Sequence, residues 1–269
     1  MLFGHRRVTH AKCADHDKLS ESGVMRRLAS ILCIATLSVL GCAGNGASSD
    51  QDSQVSVFAA SSLTDVLNDL VLIFEAKGND VVLNFAGSSA LREQIFDGAD
   101  PDVFISANEA VMGEVIDAGE HFDDPVVIAE NTMTIAVPVG NPAAIRGLPD
   151  FAEPSHTLGL CARGVPCGDL AAEVLAANDV VAQPDTLEPN VRSLLSKVEI
   201  DELDAALVYR TDIRASGDVE EILLEPGVGG RARYLAASAS ANDAASAFVE
   251  FLTSQEARVV LDEAGFVSP

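Results

Sequence analysis

The sequence predicts an α/β protein built on parallel sheets with helices on both faces, on three observations. A unit of apolar strand, small-residue turn and amphipathic helix begins at Val55 and recurs twice before residue 120. Strand and helix signals resume beyond Asn141-Pro142, as though a second unit starts there. Hydrophobic residues make up 48% and charged residues 22% of the 269 positions, a globular balance for one large or two ordinary domains.

The stretch Val55–Gly78 sets the pattern. Val55, Val57 and Phe58 read as a buried strand, Ala59 to Ser62 as the turn, and Leu63, Val66, Leu67, Leu70, Val71 and Phe74 as one apolar helical stripe ended by Gly78. Ser62 is expected to be the N-cap. A hydroxyl there, beside the free amides of a first turn, forms an anion site without formal positive charge; capping of its own helix is the plainer role. Val81–Phe85 repeats the strand, and Ser88 or Ser89 is expected to cap a helix carrying Leu91 and Ile95. Val103–Ser106 follows as a strand and Glu109–Ala118 as a helix. In the second unit Thr132–Val139, Thr157–Cys161 and Ala205–Tyr209 read as strands, with helices over Gly168–Ala176 and around Leu194–Val198, the latter capped by Asn190. Tyr234–Ala237 is a late strand, and helices Asp243–Leu252 and Gln255–Ala264 end at Gly265.

The net charge of −24 argues against nucleic acid as a partner, and any anion must be held by aimed local donors, because the long-range field repels it. Met25-Arg26-Arg27, the apolar run Leu28–Leu40 and the small residues before Cys42 make an export leader, too short to span a bilayer. The ending Val39-Leu40-Gly41-Cys42 resembles a bacterial lipobox, which implies lipidation of Cys42; translation is expected to start at or near Met25. Residues 1–42 are thus read as leader and 43–54 as a flexible tether. Cys13 and Cys33 fall in the leader. Cys161 and Cys167 are expected to form a disulfide in an exported protein, with a metal or redox pair as the alternative.

In order and spacing, Phe58-Ala59-Ala60-Ser61-Ser62-Leu63, Phe85-Ala86-Gly87-Ser88-Ser89, Asp102-Val103-Phe104-Ile105-Ser106-Ala107, Val165-Pro166-Cys167-Gly168, Leu207-Val208-Tyr209 with Thr211-Asp212, and Gly265-Phe266 match one family. The chain resembles the extracytoplasmic molybdate-binding proteins of ABC importers, solute receptors of the two-lobed type II periplasmic-binding-protein fold. The resemblance implies a first lobe of residues 55–133 plus 234–269, a second of 134–233, a hinge crossed twice, and molybdate or tungstate held between the lobes. It implies ligand contacts from Ser62 and Ser88 on the first lobe, and from the Cys167 and Val191 amides and the Tyr209 hydroxyl on the second. Cysteine at 167 departs from the small residue common there; paired with Cys161, it would stiffen the binding loop. No catalytic residue, cofactor or direct metal ligand is implied. The partners would be the oxyanion and a membrane permease, with the protein a lipid-anchored monomer outside the cytoplasmic membrane.

Elementary chemistry fits these positions. Ser62, Ser88, Cys167 and Val191 are all expected at helix N-termini, and a dianion with equivalent oxygens wants several donors and no acceptors. Donors at fixed reach select by radius, separating a larger tetrahedral ion from sulfate. Sulfate, thiosulfate, phosphate and chromate are the alternatives within this class; phosphate would profit from a carboxylate acceptor, which the set lacks. A serine hydrolase is the rival class. Beyond the leader the histidines are His121 and His156, neither in a catalytic motif, and the serine turns lack a nucleophile elbow. Asp102 is expected to satisfy backbone amides in its turn instead of serving as an acid. A structural or adhesive lipoprotein would lack convergent helix N-termini.

Overall fold

The computed structural model describes residues 54–269 apart from positions 120 and 240. The leader with Cys13, Cys33 and Cys42 and nearly all of the tether lie outside the described residues; Gln54, at the tether's end, opens the first strand. In chain order the strands and helices are β1 (Gln54–Ala60), α1 (Thr64–Glu75), β2 (Asp80–Ala86), α2 (Ser88–Phe96), β3 (Val103–Ser106), α3 (Glu109–Asp117) and β4 (Val126–Asn131). Then come β5 (Met133–Pro138), β6 (Leu158–Cys161), α4 (Pro166–Ala177), β7 (Thr186–Glu188), α5 (Val191–Glu199), β8 (Ala205–Tyr209), α6 (Arg210–Ala215) and β9 (Val219–Ile222). The chain closes with β10 (Ala232–Ser238), α7 (Asp243–Leu252) and α8 (Gln255–Ala264).

The strands form two five-stranded sheets, β2-β1-β3-β10-β4 and β7-β6-β8-β5-β9. Each has a parallel trio, centred on β1 and on β6, and two strands paired antiparallel: β10 with β3 and β4, and β5 with β8 and β9. The parallel trios are the βαβ part, where each return needs a crossover. The antiparallel strands are those by which the chain passes between the sheets: β4 runs into β5 through Thr132, and β9 leads back to β10. The C-terminus also folds onto this region, with Glu130 and Val267 exchanging backbone hydrogen bonds of 2.8 and 2.9 Å.

The α1 stripe lands as its spacing predicts. Leu63, Leu67, Leu70 and Phe74 are buried against the first sheet, and the Phe74 ring meets Phe248 at 5.0 Å and Phe251 at 5.4 Å, joining α1 to α7. Gly78 (φ +94°) and Gly265 (φ +96°) adopt left-handed conformations after α1 and α8, which only glycine takes without strain.

Three local expectations are corrected. Ser62 does not cap α1, because Ser61–Leu63 forms a 3-10 turn first, the flanking residue becomes Leu63, and no side chain caps the helix. The fully buried Leu63 pins that turn to the core, and Thr64 Oγ1 donates to the Ser61 carbonyl at 2.7 Å. Neither Ser88 nor Ser89 caps α2: the helix begins at Ser88 itself, and both hydroxyls bond elsewhere. Asp102 does bind a backbone amide, but that of Ser56 on β1 at 2.8 Å instead of one in its own turn, while its other oxygen accepts from Asn242 at 2.6 Å. Elements β4, β7, α6 and β9 are additions to the sequence reading. β7 is three residues long with no buried position, and β9 carries two glutamates, so neither shows a period to detect.

Phe248, fully buried between α1 and the sheet, tests this packing. Phe248→Ala is expected to lower stability by about 3–5 kcal/mol, seen as a lower urea midpoint at unchanged slope.

Candidate functional site

Where α1, α2, α4 and α5 begin, the two sheets face each other across a cavity of about 20 Å³. That volume holds a water-sized group and excludes an organic solute without movement of the walls. Ser62, Ser88, Cys167, Val191 and Tyr209 all stand on its wall, together with Ser61 and Asn190. Among the described residues lining it there is no Lys, Arg, Asp or Glu.

How the helices are capped distinguishes this place from the rest of the surface. α3, α7 and α8 carry side-chain caps from Asn108, Asn242 and Ser254. α1, α2 and α4 have none; the Thr64, Ala90 and Gly168 amides turn back onto the Ser61, Gly87 and Val165 carbonyls, while the Ser88, Ser89 and Cys167 amides ahead of them have no intrahelical acceptor. α5 is capped by Asn190 at the Ser193 amide, at 2.9 Å, which leaves the earlier amides of Val191 and Arg192 outside that bond. α4 opens with Pro166, whose missing N–H is no loss at a first helical position, so Cys167 carries the leading amide.

The hydroxyls are held from behind. Ser88 Oγ accepts from the Ala107 amide at 3.0 Å, and Ser62 Oγ accepts from Tyr234 Oη at 2.9 Å. Tyr209 is fully buried, and its hydroxyl has no hydrogen-bond partner. Burial pushes its pKa well above the ordinary value, helped by Tyr234 and Asp212, so it is a neutral O–H donor. The Tyr209 and Tyr234 rings meet edge to face at 6.2 Å.

The walls are braced on both sides. Cys161 and Cys167 are disulfide-bonded, with their Cα atoms 5.7 Å apart, tying the end of β6 to the first turn of α4. At Gly168 a Cβ would sit 1.9 Å from the Ala162 carbonyl oxygen, so only glycine fits beneath the bond. The loop it closes offers the Gly164 carbonyl to Ser89 Oγ on α2 at 2.5 Å. A second link joins Arg192 on α5 to Asp65 on α1 at 2.9 Å. Behind Arg192, 4.0 Å away, lies Asp212, fully buried: one oxygen accepts from the Tyr209 amide at 3.2 Å and the other has no hydrogen-bond partner. Burial raises this carboxyl from 3.8 to about 8, against the opposing pull of Arg192.

Sequence reasoning missed Tyr234, Asn131, Asp212 and Arg192 as parts of this region. Tyr234 carried a usable signal, being one of only two tyrosines in the chain. Asp212 stood within a quoted motif but follows a strand end, where a carboxylate is unremarkable.

The comparisons with known proteins agree with this architecture. Residues 55–267 match the model of the bacterial extracellular solute-binding protein family, and the chain belongs to that family. It is 34% identical over 219 residues to the molybdate-binding protein ModA of Mycobacterium tuberculosis strain H37Rv, covering 79% of this chain and 84% of the relative. Among solved structures it is similar in fold to the periplasmic molybdate-binding protein of Azotobacter vinelandii, with TM-score 0.64, 18% identity, and 80% of this chain and 99% of that one covered. It is likewise similar to the sulfate-binding protein SubI of Mycobacterium tuberculosis H37Rv, with TM-score 0.70, 18% identity, and 80% and 86% covered.

The raised Asp212 carboxyl has a consequence for stability. Between pH 3.8 and about 8 the unfolded chain releases this proton while the folded protein keeps it, so Asp212 makes stability fall as pH rises through that window. Asp212→Asn is expected to flatten this part of the profile, as measured by urea denaturation at a series of pH values.

Proposed function

We propose that the protein is the receptor of an ABC-type importer that captures molybdate, and tungstate by the same geometry, and delivers it to a membrane permease. The observation that carries this reading is the gathering of neutral donors from both sheets around one small cavity without a lining carboxylate. The name of the Mycobacterium tuberculosis relative supports the choice of ion. In this reading Ser62 and Ser88 donate from one lobe, residues 55–133 plus 234–269. The Cys167 and Val191 amides and the Tyr209 hydroxyl donate from the other, residues 134–233. The two lobes close about the chain crossings near Thr132 and Gly229, and closure brings Ser89 to Gly164 and Asp65 to Arg192. The walls part slightly around the bound ion, because the cavity of about 20 Å³ is smaller than a tetrahedral oxyanion. No step is catalytic. The leader and a lipidated Cys42 would keep the monomer at the outer face of the cytoplasmic membrane.

Neutral donors suit this acidic chain, since a local hydrogen bond acts where the long-range field repels the ion. Against sulfate the discrimination is one of radius: a smaller ion leaves donors short of contact, at about 1–3 kcal/mol for each buried group unpaired.

Isothermal titration of residues 54–269 with molybdate and then sulfate tests the reading. Tight one-to-one binding of molybdate with a silent sulfate titration is expected; tight sulfate binding reassigns the ion, and silence to both rejects the function. Ser62→Ala and Tyr209→Phe are each expected to weaken molybdate binding by about 1–3 kcal/mol, roughly fivefold to 150-fold, with the fold retained.

A further inference from the structure

Behind Ser62 runs a buried chain of hydrogen bonds that the oxyanion contacts do not include. Asn131, 2% exposed at the end of β4, stands where the chain leaves the first sheet, and Tyr234, fully buried, stands on β10 where it returns. The orientation of the Asn131 amide is fixed by the Thr132 backbone N–H, which can only donate and is accepted by Asn131 Oδ1 at 2.9 Å. The Nδ2 group must therefore face the other way. There it donates to Thr211 Oγ1 at 2.8 Å and reaches Tyr234 Oη at 3.4 Å.

This settles the direction of the remaining protons. Tyr234 Oη receives a proton from Asn131 and lies 2.9 Å from Ser62 Oγ, the acceptor to which its own O–H is directed. A buried hydroxyl left without an acceptor would cost about 1–3 kcal/mol, so the Tyr234 proton stays on Ser62. Ser62 Oγ, with a lone pair occupied from behind, has its own proton free for the cavity. The sequence of donors runs Asn131 to Tyr234 to Ser62 to whatever fills the site. Ser88 is arranged alike, with the Ala107 amide in place of the tyrosine.

We infer that Tyr234 and Asn131 are positioning residues that hold the Ser62 hydroxyl as a donor toward the bound oxyanion, linking a chain crossing to the site by hydrogen-bond direction. The inference rests on the oxyanion-receptor reading above. Without the Tyr234 hydroxyl, Ser62 keeps its place in the 3-10 turn but its proton is free to turn away, and the hydroxyl can meet the ion as a lone pair.

A double-mutant cycle tests this, with titration by molybdate, or by sulfate if that is the ion the wild type takes. Tyr234→Phe is expected to weaken binding roughly tenfold in the wild-type background and less than twofold in a Ser62→Ala background, because its effect passes through that hydroxyl. A tyrosine that merely supports the fold gives the same loss in both backgrounds, and that result overturns the inference while leaving the receptor function standing. Silence of the wild type to both ions overturns both. Melting of each ligand-free variant checks the fold. If Tyr234→Phe does not fold, Asn131→Asp carries the cycle: it keeps the side chain's shape and the bond from Thr132 but replaces a donor by an acceptor, which draws the Tyr234 proton off Ser62. Its loss is likewise expected to shrink to less than twofold in Ser62→Ala, and an undiminished loss overturns the inference.

Discussion

Buried hydrogen-bond donors without acceptors are costly, and the cavity wall concentrates them. The uncapped first turns of α2 and α4, the leading amides of α5 and the Tyr209 hydroxyl converge where no carboxylate among the lining residues can receive them. Elsewhere the chain spends Asn108, Asn242 and Ser254 to cap α3, α7 and α8. The difference gives the fold its polarity. Helices remote from the cavity satisfy themselves, while those around it leave donors unmatched, and the parallel strand trios of both sheets bring those helix starts together.

Much of the fold was legible because helical and strand periods survive in long amphipathic elements. The stripe Leu63 to Phe74 and the boundaries of α7 and α8 follow from apolar spacing and from Gly265. Short elements escaped. β7 has no buried residue, and α6 begins directly at the end of β8, with no turn residue between to mark the change. Ser62 is the instructive local error: its place before an apolar stripe is that of an N-cap, yet a fully buried Leu63 draws a 3-10 turn in between and leaves the serine to accept from Tyr234.

The candidate site was legible to a different depth. The wall positions could be named because the family resemblance carries them over motif by motif, and all but Tyr209 were expected at helix starts. Their supports could not, because Tyr234, Asn131 and Asp212 lie far from the turns they serve or inside elements read only for packing. Tyr234 is 172 positions from Ser62, a pairing that exists only once β10 has returned to the first sheet. Arg192 was passed over as the residue after a candidate amide, although its guanidinium spans from exposed Asp65 to buried Asp212.

The chain contains no tryptophan and only two tyrosines, and the two rings meet edge to face at 6.2 Å, one on the cavity wall and one behind it. Under excitation at wavelengths that its eleven phenylalanines do not absorb, its intrinsic emission therefore comes from this pair alone, with Tyr209 offering an unpaired phenol and Tyr234 a bonded one. Most proteins of this size need an attached dye before light can report on a single place; here the unlabelled polypeptide already carries an optical probe confined to the cleft.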